Sequence, residues 1–303
     1  VFSETWGDKP LDEMSERIQA SGWHKCGWVS GLEMAAQMFD YYLYTQDEAF
    51  CVETLLPYAE AVLTFFEWHY GLDESGRLKL EPSQALETWW DCTNAMPEVA
   101  GLHYLTRALR TVPVRLTTPE LQALLGRLEA ILPPVPVREV DGLTMLAPAA
   151  RFANKSNVEN PELYAVYPFR LYGAGKPDID LAIRALDRRE DRGHFGWRQD
   201  DLFMALLGLA DQARKGLTER ASRWDENHRF PAFWGPNYDW TPDQDHGGVL
   251  VKTLQSMLLQ CDDREIRLLP AWPSDWEAEF KLRAPYDTII EGKVSGGTIV
   301  RLK

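Results

Sequence analysis

Over most of residues 30–260, apolar positions recur three and four residues apart, the spacing of helices that bury one face. The first stripe is Leu32, Ala35, Ala36, Phe39 and Leu43. Pro57, after Leu55-Leu56, suits the first turn of a second helix whose inner face would carry Tyr58, Val62, Phe65 and His69. Val99, Leu102, Leu105 and Leu109 make a third stripe. Thr117 with Glu120 reads as a capping box for a helix through Leu121, Leu124, Leu128 and Leu132, ended by Pro133-Pro134 and Pro136. Residues 137–160 lose the helical period and read as short extended pieces. Helical stripes then resume in Ile179, Ala182, Ile183 and Leu186, in Phe203, Leu206, Leu207 and Ala210, and in Leu250, Leu254, Met257 and Leu258. From Ile266 the pattern changes to short β-like runs, with Ser295-Gly296-Gly297 as a turn between Lys293-Val294 and Thr298-Ile299-Val300.

Helices with a single apolar stripe cannot close a core as isolated hairpins, so this pattern predicts an all-α fold wrapped as an (α/α) toroid. The lack of a fixed repeat argues against a regular solenoid. The predicted division is a helical domain over 1–264 and the beginning of a C-terminal β-domain over 265–303.

Composition narrows the partners. With 303 residues, 45% hydrophobic and 26% charged, the chain has ordinary globular composition. A formal net charge of -14 argues against a nucleic-acid partner, which needs clustered Lys and Arg to neutralise phosphates. Twelve Trp provide flat faces of the kind that stack on sugar rings, and equally well the bulk of an aromatic core. Cys26, Cys51, Cys92 and Cys261 show no CxxC spacing, and the six His show no HxxxH or HExxH spacing, so neither a metal nor another cofactor is expected. No uninterrupted apolar run approaches the ~20 residues that cross a bilayer, and the first residues lack a basic-then-apolar leader pattern, so no membrane partner is expected.

The candidate chemistry lies in two distant clusters of acids and aromatics, Glu81-Pro82-Ser83-Gln84-Ala85-Leu86-Glu87-Thr88-Trp89-Trp90 and Tyr238-Asp239-Trp240-Thr241-Pro242-Asp243-Gln244-Asp245-His246-Gly247. Brought together they would supply what glycosidic bond cleavage needs, one carboxylic acid to protonate the leaving oxygen and one carboxylate to manage water or the anomeric carbon. Glu87, between apolar Ala85-Leu86 and Trp89-Trp90, suits a carboxyl kept protonated by desolvation. Its alternative roles are a helix cap or an Arg partner. Of the loop acids, Asp245 or His246 is best placed to cap the following helix, while Asp243 after Pro242 is placed to project as the water-activating base. In Gly196-Trp197-Arg198-Gln199-Asp200-Asp201, an indole, an amide and carboxylates suit a hydroxyl-rich ligand, although Asp200 also reads as an N-cap. Asn160-Pro161-Glu162-Leu163-Tyr164 and Tyr167-Pro168-Phe169-Arg170 read equally as a ligand wall or as buried packing. The full set of candidate sugar contacts is Trp6, Trp28, Trp89, Trp90, Tyr167, Trp197, Gln199, Asp200, Trp234, Trp240 and His246.

At these residues the chain resembles the catalytic domain of glycoside hydrolase family 95, the α-L-fucosidases and α-L-galactosidases. Asp40-Tyr41-Tyr42-Leu43-Tyr44-Thr45-Gln46-Asp47-Glu48-Ala49-Phe50, Leu56-Pro57-Tyr58 and Phe65-Phe66 look like the helix pair leading to the family's Pro-Ser-x-x-x-Glu segment, here Pro82 to Glu87. Thr241 to Gly248 resembles its Ile-Asp-Gly-Asn-Phe-Gly segment, and Ile266 to Pro273 with Trp276 its exit into a β-domain. The resemblance implies an (α/α)6 barrel, Glu87 as general acid, Asp243 with Asp245 in the base system, and inverting hydrolysis of an α-linked fucoside- or galactoside-like sugar. Inversion would set the carboxyls roughly 6.5–9.5 Å apart. The pattern departs at Gln84-Ala85-Leu86 and at Asn160 to Pro168, where sugar-reading groups of the family are replaced, and its paired asparagines have no counterpart here. The resemblance therefore implies a piece of a larger protein that associates with the remaining N-terminal and C-terminal domains of its parent chain. Family habit implies a secreted or periplasmic protein. The rival readings are a polysaccharide lyase using Tyr167, Tyr238, His246 or Arg170, and a noncatalytic carbohydrate-binding relative.

Overall fold

The computed structural model describes residues 26–194, 196–223, 244–262 and 265–303, and these form two compact units. Among these residues the first comprises 26–39 and Glu48–Leu171, the second Asp40–Asp47 and the described part of 172–303. The architecture corrects the expected all-α (α/α)6 toroid. Among the described residues about 46% are helix and 22% strand, in eight helices and small sheets, a mixed α/β fold. The extra strands lie where hairpins of three to eight residues alternate polar and apolar positions too briefly to outweigh the helical stripes around them.

The first unit opens with α1 (Val29–Thr45), whose stripe Leu32, Ala35, Ala36 and Phe39 is buried as the spacing predicts. Helix α2 (Glu48–His69) begins earlier than Pro57 implies, because a π-helical stretch, Cys51–Leu55, carries the helix up to that residue. Its inner face is Leu56, Ala59, Leu63 and Phe66 rather than the expected Tyr58, Val62, Phe65 and His69. Two aromatic-rich stripes run side by side here. Phe65 and His69 on the outer one stack on each other at 4.8 Å, and both meet the edge of Trp28. By length and composition alone α2 would also suffice to cross a bilayer, a test that a core helix passes equally.

Strands β1 (Ser83–Ala85) and β2 (Trp89–Ala95) form a hairpin, followed by α3 (Met96–Leu109). All four residues of the predicted α3 stripe, Val99, Leu102, Leu105 and Leu109, are fully buried. α3 needs glycine at Gly101, since a Cβ there would lie 2.8 Å from Leu32 Cδ1 and 2.9 Å from Phe169 Cζ. α4 (Pro119–Ile131) is capped by Thr118, one residue after the expected Thr117, whose Oγ accepts the Leu121 N–H at 3.1 Å. Strands β3 (Val137–Val140) and β4 (Leu143–Leu146) pair as a hairpin, and β5 (Ala149–Lys155) joins the first sheet in the order β1-β2-β5, all antiparallel. A 3-10 turn, Pro161–Ala165, closes the unit.

The second unit contains α5 (Ile179–Arg188), α6 (Asp200–Leu206), α7 (Ala210–Ser222) and α8 (Asp245–Leu258). A β6 (Leu259–Asp262) and β7 (Glu265–Leu268) hairpin follows, then the antiparallel sheet β8 (Ala278–Ala284), β9 (Thr288–Ser295) and β10 (Thr298–Leu302). The turn between β9 and β10 falls at Gly296-Gly297, both with positive φ, where the sequence placed it. Arg220, fully buried, is the polar hub of the helices. Its Nε and Nη2 meet both oxygens of buried Asp201 at 2.8 Å, and its Nη1 donates to Gly196 O at 2.9 Å. Removing one member of such a pair strands the other charge away from water. Arg220→Met is expected to lower unfolding free energy by about 3–5 kcal/mol in urea titrations, and a loss below about 1 kcal/mol would show that Asp201 does not depend on it.

Candidate functional site

The three residues Leu86, Glu87 and Thr88 form the loop of the β1–β2 hairpin, since Ala85 pairs with Trp89. Leu86 turns the chain through left-handed backbone, φ 54°, which is strained for a residue with a Cβ. Because Trp89 pairs with Lys155, the chain leaving β5 runs beside this loop. Ser156 N–H donates to Thr88 O at 2.7 Å, and Asn157 Nδ2 donates to Glu87 Oε2 at 2.9 Å. Glu159 Oε2 accepts the Glu87 N–H at 2.8 Å and the Thr88 hydroxyl at 3.0 Å, while its own N–H donates to Thr88 Oγ at 2.9 Å. The side chain of Glu87 is thus fixed on a clamped loop.

Two further acids share this neighbourhood. Burial pushes the Glu159 carboxyl up to about 7, with the hydrogen bond from Thr88 opposing and the charge of Glu87 adding to the rise. The charge of Glu33, on α1, adds to it too. Glu33 is itself lifted by burial to about 7 while Tyr164, on the 3-10 turn, hydrogen-bonds to it and pulls the other way. The same surroundings push the Tyr164 hydroxyl well above its ordinary range, burial first and the two carboxylates after. Glu159, on the segment after β5, therefore feels the charges of Glu87 on the hairpin loop and of Glu33 on α1. With carboxyls lifted to about 7, Glu33 and Glu159 exchange protons near neutral pH, where general acid–base groups work. Among the described residues no group of three or more His, Cys, Asp or Glu is arranged to hold a metal ion.

Set against models of known protein families and against curated proteins, the chain matches none.

Of the candidates read from the sequence, Glu87, Trp28, Trp89, Trp90 and Tyr167 belong to the first unit. Trp89 packs edge-on against Phe152 at 4.9 Å, among the buried Ala85, Cys92, Ala95 and Ala149. Trp90 bends back so that its indole N–H reaches Glu87 O at 2.9 Å. Trp28 lies against Phe65 and His69, and its backbone N–H donates to Glu98 Oε1 at 3.3 Å. Tyr167 is half-buried before a cis bond to Pro168.

Trp197, Gln199, Asp200, Asp245 and His246 are described with the second unit. Asp200 opens α6 and is buried against Arg189, whose Nη2 donates to its Oδ2 at 2.6 Å, with Gly193 N–H on the same oxygen at 2.7 Å. The Trp197 ring is stacked under Arg198 at 5.3 Å, and Gln199 is the N-cap position of α6. Asp245 is exposed in the first turn of α8. His246 is buried, its Nδ1 accepting Gly196 N–H at 3.1 Å and its Nε2 lying 3.0 Å from Arg220 O, so both ring nitrogens serve the interior. Trp6, Trp234, Trp240 and Asp243 lie outside the described residues, as do Tyr238 and Asp239.

Sequence reasoning missed Glu33 and Glu159. Glu33 stands at a polar position of an amphipathic helix, and only its apolar neighbours Leu32, Met34 and Ala35 set it apart. Glu159 sits in aperiodic sequence with no such cue. Glu98 was missed as well. It is fully buried in the first turn of α3, where its Oε2 accepts the Ser83 hydroxyl, and burial lifts its carboxyl to about 8. A folded-state value above the unfolded one means that this burial is tolerated below about pH 4.5 and increasingly destabilising from there to about pH 8. Glu98→Gln removes the charge while its amide oxygen accepts the Trp28 N–H and its NH2 donates to the Ser83 hydroxyl, which turns to accept. Urea unfolding of both proteins at pH 5 and pH 8 is expected to favour E98Q more at pH 8, and a difference independent of pH would contradict the assignment.

Proposed function

We propose that this protein is a glycoside hydrolase that cleaves an α-linked, fucoside- or galactoside-like sugar, with Glu87 as general acid. The observation that carries the reading is that Glu87, held by Asn157 at Oε2 on a clamped loop, lies close enough to Glu159 for its charge to act on that half-buried carboxyl, as does the charge of Glu33 from a separate element. The clamped loop fixes the orientation from which the Glu87 carboxyl would deliver a proton. The resemblance of Pro82 to Glu87 to the acid segment of family 95 supports the same residue.

In the proposed reaction the Glu87 proton passes to the glycosidic oxygen as the anomeric C–O bond breaks. Water attacks the opposite face of the sugar and yields its proton to a carboxylate, which the resemblance assigns to Asp243, with Asp245 beside it in sequence. The products are a free alcohol and a reducing sugar of inverted configuration. Lyase chemistry gains less support, because Arg170 stacks on the Tyr104 ring at 5.0 Å and His246 has both nitrogens engaged in the interior.

Incubation with aryl α-L-fucosides and α-L-galactosides tests this reading. Hydrolysis is expected, with the β-anomer of the sugar appearing first in proton NMR. Glu87→Gln is expected to lower kcat/KM by about 100-fold or more, in line with loss of a general acid. Undiminished turnover by E87Q would remove Glu87 from the mechanism, an unsaturated uronate product would select the lyase, and glycan binding without any released sugar would select a noncatalytic role.

A further inference from the structure

Trp68 stands out from the outer face of α2 with 82% of its surface exposed, more than any other large apolar side chain among the described residues. It makes no hydrogen bond, ion pair or ring contact there. With Pro57, Glu60, Ala61 and Phe65 it lines an open hollow of about 760 Å³ along the helix. Ala61, small between Pro57 and Phe65 one turn to either side, leaves a dip in this ridge of the kind that receives a side chain from a packed helix. The charge of the hollow is one-sided. Glu60 makes no ion pair among the described residues, no Lys or Arg lines the hollow, and the whole chain carries a formal net charge of -14. The other exposed rings show what such a surface takes. Trp89, Trp197 and Trp276 are covered by Lys155 at 5.9 Å, Arg198 at 5.3 Å and Arg214 at 5.9 Å, whereas Trp68, the most exposed, has no cation over it. Indole is the ring that attracts a cation most strongly.

We propose that the outer face of α2 around Trp68 is a docking site for a basic amphipathic helix of a partner protein. An arginine of the partner lies over the Trp68 ring, a second basic side chain meets Glu60, and an apolar residue between them seats in the dip at Ala61. Charge complementarity selects this occupant: a carboxylate beside bare rings, with no cation of its own, favours a positive partner and repels an acidic one. Spacing selects its form. Glu60 and Trp68 lie two turns apart, about 12 Å along α2, too far for one small cation and matched by two basic residues two turns apart on a facing helix. Arginine suits the ring end, because its planar guanidinium stacks on an aromatic face while its edge stays in water. The proposal does not depend on the glycosidase reading of Glu87.

The test titrates the full chain into a fluorescently labelled synthetic helical peptide that carries arginines two turns apart with leucines between them on the same face, followed by fluorescence anisotropy. Saturable binding is expected, and Trp68→Ala and Glu60→Gln are each expected to weaken it about fivefold or more. The same peptide with glutamine in place of both arginines is expected to bind at least tenfold more weakly than the arginine form, roughly the loss of two exposed cation contacts. Both side chains stand on the outer face of the helix, so W68A and E60Q should melt with the unsubstituted protein. Failure of the arginine peptide to bind overturns the proposal. So does binding that W68A and E60Q leave unchanged, which would show the peptide held by net charge alone. Equal binding of the glutamine peptide overturns the basic partner and leaves an apolar face. Self-association of the chain in sedimentation that W68A abolishes would assign the face to a second copy, and that also overturns it. Should W68A fail to fold, E60Q and the glutamine peptide decide by the same criteria.

Discussion

A carboxylate partly withdrawn from water must find donors within the fold or keep its proton, and half-buried Glu159 meets this constraint by drawing the backbone of Glu87 and the hydroxyl of Thr88 onto itself. The geometry of the proposed site follows from that requirement. The hairpin pairing Ala85 to Trp89 leaves three residues to turn the chain, and the pairing of Trp89 with Lys155 delivers the segment after β5 to the same place. Without the contacts to Glu159 and Ser156, the left-handed Leu86 would be strain with nothing to offset it. With them, the backbone of Glu87 is held in place, and Asn157 donates to its Oε2.

The two units satisfy the same constraint differently. In the second, Asp201 receives both nitrogens of Arg220 and Asp200 receives those of Arg189, so each buried acid has a cation whose charge never changes in the working range of pH. In the first, Glu33, Glu98 and Glu159 are met by uncharged donors, namely Tyr164, Ser83 with the Trp28 amide, and Thr88 with the Glu87 amide. Hydroxyls and amides do not compensate desolvation of a charge as an arginine does, and the three carboxyls rise to about 7 or 8 in consequence. Buried acids with arginines are structural here. Those with neutral donors are the ones poised to exchange protons near pH 7, and Glu98, shut in by α3 and β1, shows that this poise also needs a second carboxyl nearby before it suggests chemistry.

How much was legible in the sequence depended on whether a local period or a distant pairing set the structure. The α1 and α3 stripes, the 295–297 turn and the short extended pieces of 137–160 were readable because each depends on neighbours within a few residues. The α2 face was misread by one residue because apolar and aromatic side chains occupy two adjacent stripes. The toroid was a different kind of error. It extrapolated from helical stripes to a global closure, whereas Ser83–Ala85, Trp89–Ala95 and Ala149–Lys155 meet across about sixty residues of chain to form a sheet that no window of sequence contains. Glu87 stood out in the sequence as a candidate through its apolar and indole neighbours. Glu33 and Glu159 did not, because Glu159 is brought to the Glu87 loop by that sheet and feels Glu33 from α1, contacts that no local pattern shows.

The indole rings also acquire a different meaning. Their abundance suggested platforms for sugar, yet Trp89 is committed to Phe152 and the sheet core, Trp28 to Phe65 and His69, and Trp90 to the carbonyl of Glu87. Exclusion of water is the leading cause of the rise in Glu33, Glu98 and Glu159. Of these rings, Trp28 stands directly beside such an acid, its amide donating to Glu98, so these three indoles serve packing and internal hydrogen bonds before they could serve a ligand.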